Sequence, residues 1–333
     1  MTQPPRERTF DYREFVHSPA ELATEYVAWA ERIHKTPGVP FGVPCIDKYM
    51  IPMHPGDLGA IVARPGHGKS SLLAYLARAE AKRIRARGTQ DTECVVYVTW
   101  EQVAEEIENI FELNDAFTPS DVAWGRADIS KVITNSLNRP KLPVWVIGHS
   151  LARADIRMPR MTLDAVFMAI ERMKQDHGVT PTLICLDYIQ IIPVENVKER
   201  VMQVIEATIR AKELMMRVGS PGWMGVQAGR TVDKKGFKTP QLDEAQWGSI
   251  IEQTVDKWMG LWRPFLTERE VKVVKVNGVE IPITDTLLIV EMAKQRFEKA
   301  GLIWPLHFAP QYLKLCELEL QHAQPEEVPG YDW

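Results

Sequence analysis

The chain has 333 residues, of which 45% are hydrophobic and 25% charged, and a formal net charge of -4. That length buries a full core without disulfide or metal staples, and the charge excludes a global positive field, so any nucleic-acid contact must be local or arise from assembly. Four scattered cysteines, Cys45, Cys94, Cys185 and Cys316, form no C-x-x-C pair, which excludes a zinc or disulfide framework and points to a reducing cytoplasm.

The N-terminus has no apolar leader, and no later segment reaches the roughly 18 apolar residues of a membrane span. Residues 1–12 read as a disordered tail. "SPAELATEYVAWAERIHK" follows with Ser18 as cap, Pro19 at the first helical position and apolar residues at helical spacing. The connector "TPGVPFGVP" then reads as a linker or hinge, so this helix packs either on its own core or on another body. The expected units are a tail and docking helix at 1–38, a main domain at 39–320 and a loose acidic tail at 321–333.

From residue 58 onward strands and helices alternate. A strand is expected near 58–63, a helix from Lys69, the strand "CVVYVTW", a helix from about 102, and the strand "LPVWVIG". The helix "TLDAVFMAIERMKQDHG", the strand "TLICLDYIQII", the helix "RVMQVIEATIRAKELMMRVG" and the strand "WMGVQ" complete the series. Near-continuous apolar strands alternating with helices predict an α/β fold, a mostly parallel central sheet flanked by helices on both faces. In "VKVVKVNGVEIPIT", Asn277 and Gly278 separate two alternating runs, a strong hairpin signal. With the extended run "TLLIVEMAKQRF", it predicts an antiparallel C-terminal extension of the sheet.

The stretch "ARPGHGKSS" lies between the first strand and its helix and has the form of a Walker A phosphate loop with Ala63 in place of the first Gly. Arg64, Pro65, Gly66, His67, Gly68, Lys69, Ser70 and Ser71 are the candidate ATP-binding residues. Gly66 and Gly68 let backbone amides cradle phosphate oxygens, Lys69 reaches the β and γ phosphates, and Ser70 ligates Mg²⁺. Asp187, at the end of an apolar strand, is the candidate Walker B carboxylate for Mg²⁺, since a buried strand seldom carries an unpaired charge. Glu101 ends the strand after the phosphate-loop helix, where it either orients the attacking water or favours the next helix start beside Glu105 and Glu106. Gln227 ends another strand, where its amide either senses the γ-phosphate or satisfies backbone groups.

Six blocks in order, "GVPFGVPCIDKYMIPMHPGDLGAIVARPGHGKSS", "VVYVTWEQ", "LICLDYIQII", "VQAGR", "GSIIEQTVDK" and "AKQRF", resemble the ATPase domain of DnaB-type replicative helicases, hexameric members of the RecA-like fold. The resemblance covers most of residues 38–298. It implies a RecA-like P-loop ATPase with Glu101 as catalytic glutamate, Asp187 as Walker B and Gln227 as sensor. Lys294 and Arg296 resemble the pair that reaches into a neighbouring subunit's site, the other reading being a surface pair answering Glu291 and Glu298. The implied function is an ATP-dependent helicase or translocase motor on single-stranded DNA, a homo-hexameric ring in contact with a loader or other replication protein.

Two departures qualify the resemblance. The stretch before residue 38 reads as a tail and one helix where the family usually carries an N-terminal domain, and the family's DNA-contact loop reads "PQLDEAQWG" here, acidic and without Arg, so that role is not expected to carry over to Asp243 through Gly248. A substitute is the basic stretch with Arg230, Lys234, Lys235 and Lys238 around Phe237, suited to following a single-stranded backbone and stacking a base. These departures motivate a second reading, a nucleotide-gated assembly switch or loader from a phage, mobile-element or defence setting that does not unwind processively.

Overall fold

The computed structural model describes residues 16–36, 38–112, 117–138, 141–153, 160–229, 232, 237–244, 248–268 and 270–318. The chain divides into two units, residues 1–38 and 39–333. In the first, helix α1 (Pro19–Lys35) opens with a capping box: Ser18 Oγ accepts the Glu21 amide at 3.3 Å, and the Glu21 carboxylate accepts the Ser18 amide at 2.8 Å.

The second unit begins with the short α2 (Pro44–Asp47), followed by strand β1 (Leu58–Ala63), the long helix α3 (Lys69–Arg87) and strand β2 (Glu93–Thr99). Helices α4 (Ala104–Phe111), α5 (Pro119–Ala123) and α6 (Ile129–Asn138) then lead to strand β3 (Val144–Ile147). Helix α7 (Leu163–His177), strand β4 (Thr180–Asp187), helix α8 (Arg200–Val218) and strand β5 (Gly222–Gln227) continue the alternation. After α9 (Gly248–Thr254) come β6 (Lys257–Trp262), α10 (Pro264–Thr267), the pair β7 (Val273–Val276) and β8 (Val279–Pro282), then β9 (Leu287–Gln295), β10 (Leu302–Ala309) and β11 (Lys314–Glu317).

The main sheet has the order β11-β10-β9-β6-β1-β5-β4-β2-β3. The six strands from β6 to β3 pair in parallel, and β6–β9, β9–β10 and β10–β11 are antiparallel. The expected α/β sheet with an antiparallel C-terminal extension is thus present. Its central strands are apolar throughout because both faces are covered: Ile61, Tyr97 and Cys185 join α3 in one core layer, and Val62, Val96 and Leu186 join α7 and α8 in the other. Each fully buried aliphatic side chain in these layers stabilises by about 1.5–3 kcal/mol.

Two sequence expectations are corrected. The strand read through "TLICLDYIQII" stops at Asp187, and Ile189–Ile191 forms a 3-10 turn. The "VKVVKVNGVEIPIT" hairpin forms, with Asn277 and Gly278 at φ of 50° and 83°, but it is a separate two-stranded sheet. It packs over Trp262, Leu287 and Ile289 instead of extending the main sheet, because Val276 and Ile281 bury their apolar face there. The extension is built by β9, β10 and β11, and β6, β10 and β11 have no counterpart in the pattern reading.

Candidate active site

The strand register gathers the carboxyl ends of the parallel strands on one sheet edge. Ala63 pairs with both Gln227 and Leu261, and Thr99 pairs with Asp187. The phosphate-loop residues, Glu101, Asp187 and Gln227 all leave the sheet along that edge, the expected ligand side of an α/β sheet.

The loop from Arg64 to Gly68 turns through Gly66 and Gly68 at φ of 80° and 93°, left-handed values that cost a residue with a Cβ. At Gly68 a Cβ would also lie 2.8 Å from Cε1 of Phe308. Helix α3 starts at Lys69, so the amides of its first turn, including Ser70 and Ser71, lack intrahelical partners and face the positive end of the helix dipole. The flanks of the loop are tied down. Arg64 donates to the Ala228 carbonyl at 3.1 Å, and buried His67 accepts the Arg263 amide on Nδ1 at 3.0 Å.

Lys69 Nζ lies 3.1 Å from Asp187 Oδ1 and 4.0 Å from the ring centroid of Tyr188. Its stem passes over β5, where a Cβ on Gly225 would come within 3.0 Å of Lys69 Cδ. Asp187 is only 1% exposed, and its Oδ2 accepts the Tyr97 hydroxyl at 3.0 Å. Burial, reinforced by the Asp187 charge, pushes the Tyr97 phenol well up, so it remains a donor. A buried carboxylate thus has one ammonium and one hydroxyl as partners.

Glu101 is exposed just past β2. Thr99 turns the chain there, its Oγ1 accepting the Gln102 amide at 3.1 Å, and the Trp100 amide donates to the Asp187 carbonyl at 3.1 Å. Burial raises the Tyr188 phenol, with the Glu101 charge as the next cause. The start of α4 is served by Glu106, while Glu105 binds the segment after β3. Glu106 accepts the Val103 amide at 3.3 Å, and Glu105 accepts from Ser150 Oγ at 2.5 Å and from the Leu151 and Ala152 amides at 3.2 Å.

Gln227 is half-buried, and its backbone N–H and C=O are both taken by the side chain of Gln190, at 3.1 and 3.2 Å. The amide that satisfies the backbone here is therefore Gln190.

Lys294 and Arg296 lie at the opposite sheet edge. β9 runs antiparallel to β6, with Ile289 opposite Trp262 at the phosphate-loop edge and Lys294 opposite Trp258, about 13 Å further along at 3.3 Å per residue. Lys294 Nζ donates to the Glu252 carbonyl at 2.5 Å, and Arg296 lies 3.0 Å from Asp256. Glu291, an alternative partner in the sequence reading, is buried against Thr239 and Gln241.

Of the basic stretch, Arg230, Lys234 and Lys235 lie outside the described residues. Lys238 is ion-paired with Glu268, and the Phe237 ring meets Trp262 edge-on at 5.1 Å, so both are engaged by the protein. In the acidic stretch, Leu242–Glu244 is a 3-10 turn and α9 begins at Gly248.

Tyr97, Tyr188, Gln190, Gly225 and Phe308 belong to the site and were not singled out by sequence. Tyr97 carried a signal, a polar tip inside an otherwise apolar strand; Phe308, about 240 residues from the loop it covers, carried none.

The donors suit Mg²⁺ with a nucleoside triphosphate. Among the described residues no three His, Cys, Asp or Glu side chains cluster, whereas one hydroxyl, Ser70, and one carboxylate, Asp187, leave octahedral positions to phosphate and water.

A model of the DnaB-like helicase C-terminal domain matches residues 38–317. The chain belongs to the DnaB-like helicase C-terminal domain family. The replicative DNA helicase DnaB of Rickettsia felis is 21% identical over 296 residues, 85% of this chain and 58% of the relative. That of Geobacillus stearothermophilus is 24% identical over 309 residues, 88% of this chain and 59% of the relative. The chain therefore spans under three fifths of the DnaB proteins it matches. Among solved structures, the ATPase domain of G40P superposes with a TM-score of 0.69 at 17% identity, covering 91% of this chain and all of that one. A DnaB-like replicative helicase, described with its interactions with primase, gives 0.67 at 17% identity over 91% of this chain and 67% of its own. These likenesses establish the RecA-like fold of the DnaB-like domain. No helix among the described residues is long and apolar enough to cross a membrane.

Proposed function

We propose that this DnaB-like domain hydrolyses ATP at the interfaces of a homo-hexameric ring and drives it along single-stranded DNA to separate duplex. The observation that carries this reading is the division of the site. Lys69, Ser70, Glu101 and Asp187 meet at one sheet edge while Lys294 and Arg296 stand at the other, so a protomer supplies the phosphate grip but not its own finger. Neighbours related by rotation complete each other's sites.

In this reading the amides of the Gly66–Ser71 loop and the Lys69 ammonium hold the β and γ phosphates, and Lys69 leaves Asp187 as the nucleotide enters. Ser70 and Asp187 would hold Mg²⁺, which would supply neutralisation of phosphate charge. Glu101 orients and deprotonates the attacking water, the amide of Gln227 senses the γ-phosphate, and the partner's cations stabilise charge on the transferring group. Arg230, Lys234 and Lys235 follow the DNA backbone, and binding weakens steeply with salt. A loader or primase is the kind of partner that fits this role, in a cytoplasmic setting consistent with reduced cysteines.

The test is ATP-driven unwinding of a forked duplex. Unwinding by the protein and its loss in Lys69→Ala are expected; no unwinding together with no DNA-stimulated turnover would overturn the proposal.

A further inference from the structure

Behind the phosphate loop, α3, α4 and β3 enclose a cleft of about 420 Å³, within the range of small-molecule sites. One wall is α3, which presents Arg78, Lys82 and Arg85 to it, positions four and three apart that share a helix face. The floor is apolar, formed by Phe111 and by residues of β3 that remain half-exposed.

The charges of this cleft are unevenly compensated. On the other side of α3, Arg83 and Arg87 are paired with Glu80 at 2.8 and 3.2 Å, and Arg87 also with Glu93 at 2.7 Å. On the α4 wall, Glu108 and Glu112 are both paired with Lys141. Among the described residues no carboxylate is ion-paired with Lys82 or Arg85. Partial burial and the neighbouring Arg78 charge hold the Lys82 ammonium below its usual range, the condition an entering anion relieves.

We infer that this cleft is a second phosphate-binding site, distinct from the phosphate loop, that takes a pyrophosphate group, free or borne on a nucleotide. Lys82 and Arg85 grip the anion at the rim, and the Phe111 floor accommodates an apolar or planar remainder. A short route joins it to the nucleotide site. The Phe111 ring meets Tyr97 edge-on at 5.9 Å, and Tyr97 is the hydroxyl donor to Asp187, so occupancy of the cleft alters ATP turnover.

The experiment uses the full chain with Lys69→Ala to weaken the phosphate loop, titrated calorimetrically with inorganic pyrophosphate and, separately, with guanosine diphosphate. Saturable binding of either probe is expected, weakened at least about tenfold in a variant that also carries Lys82→Ala and Arg85→Ala, as loss of two charge-assisted contacts requires. Tighter binding of the diphosphate nucleotide identifies a nucleotide site, and tighter binding of pyrophosphate an inorganic one. No binding by either probe, or binding indifferent to the two substitutions, overturns the site. In the protein with Lys69 intact, at saturating ATP, the probe is expected to change turnover at least about twofold, and the Lys82→Ala/Arg85→Ala variant to lose that response. Binding without the response overturns the coupling through Phe111.

Discussion

The guanidinium of Arg296 lies 3.0 Å from the carboxylate of Asp256, at the sheet edge away from its own phosphate loop. Asp256 is buried and also accepts Lys212 Nζ at 2.5 Å and the Leu58 amide at 2.8 Å. Both of those bonds fall on Oδ2, so Asp256 keeps two partners when the 52% exposed Arg296 side chain swings toward a neighbour, and only its buried Oδ1 loses a cation.

Arg296→Ala is accordingly expected to cost about 1–3 kcal/mol of stability for the Oδ1 charge left without its cation and to lower ATP turnover about 10³-fold, the scale of a lost arginine finger. Mixing it with Glu101→Gln protein is expected to restore part of the turnover, because mixed rings contain interfaces with both wild-type groups. Mixtures no more active than the separate variants would contradict a finger acting in trans.

Asp256→Ala costs more stability. It strands Lys212 near the Gly56 carbonyl and removes an acceptor from the first amide of β1, so a loss of about 3–5 kcal/mol is expected on the scale of a broken buried pair. Urea unfolding measures it.

Tyr97→Phe removes one hydroxyl and keeps the ring against Phe111. A loss of about 1–3 kcal/mol is expected from the unsatisfied Asp187 oxygen, with a fall in kcat and little change in KM for ATP. An unchanged kcat would remove Tyr97 from the positioning of Asp187.

Gly68→Ala meets two obstacles, a φ of 93° and the Phe308 ring at 2.8 Å. Strain of about 1–3 kcal/mol is expected, with nucleotide affinity reduced because the loop amides turn away. Fluorescent nucleotide titration reads the affinity directly.

Glu105 ties the chain after β3 to the start of α4, and its carboxyl is pulled down to about 2, first by Ser150 Oγ and then by backbone amides. A folded value below the unfolded 4.5 gives a contribution that is complete above the unfolded value and is lost as pH falls toward 2. Between pH 4.5 and 2, Glu105→Gln protein is expected to show a shallower loss of stability than the unsubstituted protein, measured by denaturant midpoints.

By itself the sequence located the glycine turn before Lys69, the strand-end Asp187, the parallel α/β core and the Asn277–Gly278 turn. Each is local: a glycine pattern, a charge ending an apolar run, a two-residue turn, all dictated by backbone sterics and side-chain period within a few residues. The sequence left Glu101 with two readings because a carboxylate before a helix serves either role, and the fold adds that Glu106 accepts the amide at the start of α4. Tertiary structure decided what depends on partners far along the chain. Tyr97 meets Asp187 across 90 residues, Gln190 occupies the backbone of Gln227, and the hairpin left the sheet because its apolar face found Trp262 and Ile289. The placement of Arg296 at the far edge came from the antiparallel direction of β9, since a strand's direction in a sheet is set by which neighbour buries its faces and not by its own residues.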